Sequence, residues 1–87
     1  MKFPKNPFPK IEVWWLDPQS HSEWTELSNM ELEEPALCHT IGFLVHKTKE
    51  RIVIASDLAY GDHKQVDSYG NVITIPVSII LSSSIKL

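Results

Sequence analysis

The first apolar segment of the chain, residues 11–16, alternates between two sets of side chains. One set is uniformly apolar and consists of Ile11, Val13 and Trp15. Side chains two residues apart share a face of a β-strand, so this period predicts a strand that ends before Pro18. By the same parity Trp15 points to the core, whereas Trp14 and Leu16 point outward.

A longer apolar segment predicts a second strand after Pro35. Its apolar face is formed by Leu37, His39, Ile41, Phe43 and Val45, and its other face by Cys38, Thr40, Gly42, Leu44 and His46. A glycine in the middle of a strand marks a bend or a bulge, which we expect at Gly42.

Three more strands follow. Residues 51–58 are rich in β-branched side chains and come after a polar hairpin connection at 47–50. Residues 59–71 form a polar loop in this interpretation, and it returns to the sheet at Tyr69-Gly70-Asn71. The fourth and fifth strands are residues 72–75 and 79–81. Pro76 lies between them and cannot donate to a strand ladder, so it predicts a corner.

Two segments depart from the strand pattern. Residues 1–10 contain three prolines and three lysines, and we expect an extended, loosely held arm. Ser22 is a suitable N-cap for one or two helical turns through Leu27, with Glu23 in the first turn. The remainder, residues 11–87, is predicted to be one domain.

This order of elements indicates a mainly β fold. A strand, a short helix, a long bent strand, a hairpin and two short strands around a tight corner are the layout of a small five-stranded antiparallel barrel of the Sm-like kind. The alternative is a small antiparallel sheet crossed by one helix.

The size of the chain limits its core. Eighty-seven residues bury only about 60–65% of the surface of the unfolded chain. Cys38 is the single cysteine, so a disulfide framework is excluded and no closed zinc set is expected. Self-association is the remaining source of buried surface, which predicts a homo-oligomer. A lone thiol, with no signal peptide and no membrane-spanning run, indicates a cytoplasmic protein.

The charge distribution limits the partners. The net charge is −3, and residues 23–34 contain five glutamates and no lysine or arginine. Duplex nucleic acid requires a contiguous basic face, which this sequence lacks. A small anionic molecule is compatible with a few cations from several subunits.

All three tryptophans lie within residues 14–24, and this segment supplies most of the candidate ligand-binding residues: Trp14, Asp17, Ser20, His21 and Trp24. Indole faces beside hydroxyls, a carboxylate and an imidazole can line a pocket for a flat, polar ligand. A structural interpretation competes for most of them. Asp17 before Pro18 starts a turn, His21 is an exposed or capping imidazole, and Trp24 is a lid over the core. Trp14 points outward, so a subunit or a ligand should cover it.

Four further candidates complete the binding set: His39, Thr40, Tyr60 and Tyr69. Tyr60 and Tyr69 lie towards the two ends of the predicted loop and could close over a ligand. His39 is more simply a hydrogen-bonded histidine at the rim of the apolar face.

Catalytic and metal sites are poorly supported. Cys38 and His39 are neighbours in a strand and point to opposite faces, so they cannot act as nucleophile and base. Asp57 and Asp62 resemble an acid–base pair but fit a solvated loop better. The four histidines have no metal-ligand spacing. We expect a protein that is not an enzyme and needs no cofactor.

Four segments together resemble a group of short bacteriophage accessory proteins of unknown function: Val13-Trp14-Trp15-Leu16-Asp17, Ser20-His21-Ser22-Glu23-Trp24, residues 38–44 and residues 73–80. The resemblance implies a compact protein made inside a bacterium. In that setting small homo-oligomers bind host factors or sequester nucleotide immune signals.

Two functions follow as hypotheses. In the first, a homo-oligomer holds a nucleotide-like host signal in pockets between subunits without turning it over. In the second, the protein is an adaptor or inhibitor that docks on a host protein through Trp14, Leu16 and the acidic residues 23–34.

Overall fold

The computed structural model describes residues 1–18 and 35–86, and their regular structure consists of five strands and one 3₁₀ turn. In chain order the strands are β1 (Lys10–Asp17), β2 (Ala36–Lys47), β3 (Arg51–Tyr60), β4 (Val66–Pro76) and β5 (Ile80–Lys86). They form one antiparallel sheet in the order β4-β3-β2-β1-β5. The mainly β fold with five antiparallel strands, predicted from the sequence, is confirmed.

The sheet is open rather than closed into a barrel. β4 and β5 are its two edges, and among the described residues no strand pairing joins them. Only the 3₁₀ turn Val77–Ile79 separates these edges in the chain, so the last residue of β4 and the first residue of β5 lie close together. β4 pairs with β3 along its whole length, from Pro76 back to Val66, and with no other described strand. The closed barrel is therefore not observed.

The corner at Pro76 is confirmed. β4 ends at this proline, and the 3₁₀ turn follows directly. The amide of Val77 donates to the carbonyl oxygen of Glu50 at 2.8 Å, which fastens the corner to the β2–β3 turn. That turn occupies residues 48–50, within the connection predicted at residues 47–50.

A small apolar cluster holds the strands together. Its buried members are Ile11, Val13, Leu44, Ile52, Ile54 and Ile75, and Trp15, Ile73, Ile79 and Ile80 pack against it. Ile11 and Val13 lie inside and Trp14 outside, so the predicted parity of β1 is confirmed. Because β1 and β3 supply most of the buried side chains and none of the fully buried ones lies in the described part of β5, the core is thin.

The apolar face of β2 is the exposed one. Strand pairing sets Val13 opposite Thr40 and Ile11 opposite Gly42, which places Thr40, Gly42 and Leu44 on the inner face. Gly42 is there because β3 is very close: a Cβ at this position would lie 2.6 Å from Ile54 Cγ2.

The polar loop predicted at residues 59–71 is wrong. β3 continues to Tyr60 and β4 begins at Val66, leaving a tight turn closed by the amide of Gly61, which donates to Gln65 O at 2.9 Å. Residues 57–60 of β3 and 66–70 of β4 form a two-stranded segment, here called the ribbon. β2 pairs with β3 only as far as Ala55, so the ribbon separates from β2 beyond that residue.

The segments outside the sheet are of two kinds. Residues 1–9 form no helix or strand, and the carbonyl oxygen of Pro9 accepts a hydrogen bond from the amide of Leu44 at 2.9 Å. The helix predicted at residues 22–27 lies outside the described residues and stays a prediction. Within the described part of the chain, no helix is long and apolar enough to cross a membrane.

Candidate functional site

A pair of stacked rings lies on the outer face of β1 and β2. Trp14 and His39 are directly opposite in the strand register, with ring centroids 3.9 Å apart and planes 6° from parallel. Opposed residues of antiparallel strands share a face, so the pairing itself brings these rings together. Trp14 is still 40% exposed. The two rings offer a flat surface that a planar ligand or a second protein surface can cover.

A carboxylate orients the imidazole of this pair. His39 Nε2 lies 2.7 Å from Glu12 Oε1, across the diagonal between β2 and β1. An ionised carboxylate accepts but does not donate hydrogen bonds, so Nε2 carries the proton of this bond. The bond holds the His39 ring parallel to Trp14, and it commits Nε2 as a donor within the protein.

Apolar side chains surround the ring pair. Leu37 and Ile41 flank His39 along β2 and are 61% and 64% exposed. Leu16 is opposite Leu37 and partly buried. We call the set Glu12, Trp14, Leu16, Leu37, His39 and Ile41 the outer patch. Several large apolar side chains exposed side by side on a folded domain are a common mark of a binding surface.

Thr40 lies on the other side of the sheet from the outer patch. Its hydroxyl oxygen accepts a hydrogen bond from Trp15 Nε1 at 2.9 Å. This bond satisfies the one polar atom of an indole that packs against the core. In this position Thr40 supports the inner face and does not reach a ligand on Trp14.

Cys38 is also separated from His39 by the sheet. Cys38 is opposite Trp15 in the register, whereas His39 is opposite Trp14, so their side chains point to different faces. Cys38 Sγ lies 3.7 Å from the carbonyl oxygen of Ala36. The pair has no geometry for a thiol activated by its neighbouring imidazole.

The remaining described candidates lie at a distance from the ring pair. Asp17 is the last residue of β1 and is opposite Ala36; it directly follows Leu16, so it belongs to the other face of the strand. Tyr60 and Tyr69 are on the ribbon and share one of its faces. Tyr69 is opposite Leu58, and Leu58 lies two residues from Tyr60 in β3, on the same face of the strand. The structure therefore joins Trp14 with His39 and places the two tyrosines together elsewhere.

The candidates Ser20, His21 and Trp24 lie outside the described residues, as does the acidic segment 23–34. Their assignment to a ligand site, or to a surface for a host protein, stays a prediction.

A shallow concavity of about 400 Å³ lies at the tip of the ribbon. Its lining is polar and contains Asp62, His63 and Asp67. Among the described residues, no three His, Cys, Asp or Glu side chains are arranged to hold a metal ion. Two carboxylates flank the opening, which favours a cationic group over an anionic one.

Glu12, Leu37 and Ile41 are the members of the outer patch that sequence reasoning did not select. Both faces of β2 contain apolar residues, so composition alone does not tell which face is buried. Trp14 could have indicated which face of β2 is exposed. Because Trp14 is predicted to point outward, its cross-strand partner must point outward too. The register that names this partner is a tertiary property.

Comparison of the chain with protein-family models, with curated proteins and with solved structures finds no match.

Proposed function

We propose that this protein is a non-enzymatic binding protein that self-associates and holds a small nucleotide-like molecule where subunits meet. In the setting implied by the sequence resemblance, it would act as a phage accessory protein that sequesters a host immune signal. The Sm-like layout belongs to this proposal, since five antiparallel strands with a corner before the last are its coarse features.

The observation that carries the proposal is the exposed outer patch. A domain with so few buried side chains gains stability by covering Trp14, Leu37 and Ile41. A second copy presents the same patch, so an isologous contact would bury both at once.

The chemistry beside Trp14 favours a nucleotide-like ligand. A base can stack on an indole or an imidazole, and such stacking contributes about 1–3 kcal/mol. Ser82 is opposite Trp14, and Ser84 is opposite Glu12, so two exposed serines of β5 belong to the same side of the sheet. Lys10, exposed at the start of β1, adds a cation for a phosphate.

The test combines calorimetry with one substitution. We expect cyclic di-AMP or cyclic AMP to bind stoichiometrically to the wild-type protein and not to Trp14→Ala, because the stacking surface is removed. Val72→Ala is the matched control, since Val72 is exposed on β4 and lies outside the outer patch.

Two results would count against ligand capture. Equal binding by wild type and Trp14→Ala would place the ligand elsewhere. Conversion of the ligand beyond one equivalent of protein would show an enzyme instead.

The exposure of Trp14 also supports a second candidate function. An indole near the centre of an apolar patch is a frequent anchor of protein–protein interfaces. Trp14 and Leu16, with the acidic residues 23–34, would then dock on a host protein. This function predicts a protein that binds neither nucleotide, and a host protein captured by wild type and Val72→Ala but not by Trp14→Ala.

A further inference from the structure

The ribbon presents a partly exposed aromatic face. Leu58, Tyr60, Val66 and Tyr69 share this face, and Tyr69 is 51% exposed. The face continues the one that carries Ile54 and Ile73 in the core, but among the described residues no further strand pairs with the ribbon. A two-stranded hairpin alone is marginal in water, so a covering partner would stabilise it.

The ribbon is also acidic. Asp57, Asp62 and Asp67 lie within residues 57–70, against the single lysine Lys64. Asp62 and Asp67 line the concavity at its tip. A suitable partner therefore carries positive charge beside groups that pack on tyrosine rings.

The N-terminal arm has this chemistry. Residues 1–10 contain Lys2, Lys5 and Lys10 and no acidic residue. Pro4 and Pro7 stand three residues apart, and proline-rich segments of this kind dock in the polyproline II conformation on aromatic grooves. Three residues per turn place Pro4 and Pro7 on one side, about 9 Å apart. Diagonal neighbours on a strand pair, such as Tyr60 and Tyr69, are separated by about 7–8 Å.

The arm and the ribbon of one chain lie at opposite ends of β2. The Pro9–Leu44 hydrogen bond directs the arm past the end of β2 that leads into the β2–β3 turn. The ribbon begins after Ala55, where β3 separates from β2, and it extends away from the β2–β3 turn. Phe3 is 82% exposed, so the ring of this arm residue is not packed on the described part of its own chain.

We propose that the arm of one copy binds the aromatic face of the ribbon of a second copy. Pro4 and Pro7 pack on Tyr60 and Tyr69, while Lys2 and Lys5 pair with Asp62 and Asp67 at the tip. This contact is separate from the outer patch and goes beyond the proposed function.

The ribbon contains both tyrosines of the chain, which gives a local readout. Full-length protein labelled with fluorotyrosine should show two fluorine NMR signals, both from the ribbon. We expect these signals to move with protein concentration as arms dock. In the charge-reversed arm variant, Lys2→Glu with Lys5→Glu, the transition should need at least about tenfold more protein, because two attractive pairs become repulsive.

An equimolar mixture provides the decisive comparison. The reversed ribbon, Asp62→Lys with Asp67→Lys, should likewise need at least about tenfold more protein before its tyrosine signals move. Mixing the two variants restores opposite charges in both arm–ribbon contacts, so their signals should return to the wild-type positions. Lys47→Glu with Lys49→Glu makes the same charge change at exposed residues outside the arm and ribbon, and should behave as wild type.

Three outcomes would overturn the proposal. If the positions of the wild-type fluorine signals did not change with protein concentration, nothing would dock on the ribbon. Identical titrations for wild type and the arm variant would exclude the arm, and equal weakening by the control would indicate a general effect of net charge. None of these depends on nucleotide binding or on Trp14, so this proposal can fail while the proposed function stands, and the reverse.

Discussion

At the level of single residues, two adjacent tryptophans of β1 have opposite environments. Trp15 packs against the core and bonds to Thr40, whereas Trp14 stacks on His39 outside the sheet. The sequence predicts this difference because β1 alternates cleanly. It does not predict the position of Leu37 and Ile41, because β2 has apolar residues on both faces and only its pairing with β1 decides between them.

The two tryptophans should therefore respond differently to truncation. Trp15→Ala removes a core-packing ring and should lower the free energy of unfolding by about 3 kcal/mol. Trp14→Ala should leave the unfolding of the dissociated subunit within about 1 kcal/mol of wild type while weakening the assembly. Urea unfolding at low concentration measures both, and equal losses would show that the assignment of the two faces is wrong.

At the level of elements, the sequence predicts the strands that contain buried apolar side chains, but it does not predict the ribbon. The β-branched side chains of Val53 and Ile54 predict β3, and Pro76 predicts the corner. Asp67 and Ser68 instead belong to a strand that is solvated on both sides of its ladder, so their polarity indicates a loop. Polar side chains indicate that a segment is exposed to solvent, and they do not distinguish an exposed loop from an exposed strand. Here the pairing with β3 makes the exposed segment a strand.

The close approach of β2 and β3 predicts that a side chain at position 42 destabilises the fold. Gly42→Ala would bring a Cβ within 2.6 Å of Ile54 Cγ2 and 2.7 Å of Ala55 O. We expect it to reduce the free energy of unfolding by about 1–3 kcal/mol through overpacking.

Gly70→Ala is the matched control for this substitution. Gly70 also lies in a strand, but its added Cβ would meet nothing within 4 Å, and its φ is not positive. Its unfolding should stay within about 0.5 kcal/mol of wild type. If both alanines had the same effect, backbone freedom rather than crowding at β3 would be the reason for Gly42.

At the level of the whole molecule, a thin core coexists with uncovered apolar surface. The buried hydrophobic residues of the described chain are few, and both the outer patch and the aromatic face of the ribbon expose large side chains. The sequence predicted this imbalance from length alone. It did not predict that the sheet stays open, because closure depends on where β4 and β5 run after the corner.

The most direct test of this account is the mass of the particle in solution, measured by sedimentation equilibrium over a wide range of concentration. The account predicts a multiple of the 9.9 kDa chain mass for wild type and a lower mass for Trp14→Ala. A wild-type particle of 9.9 kDa at every concentration, folded and unchanged by Trp14→Ala, would contradict it.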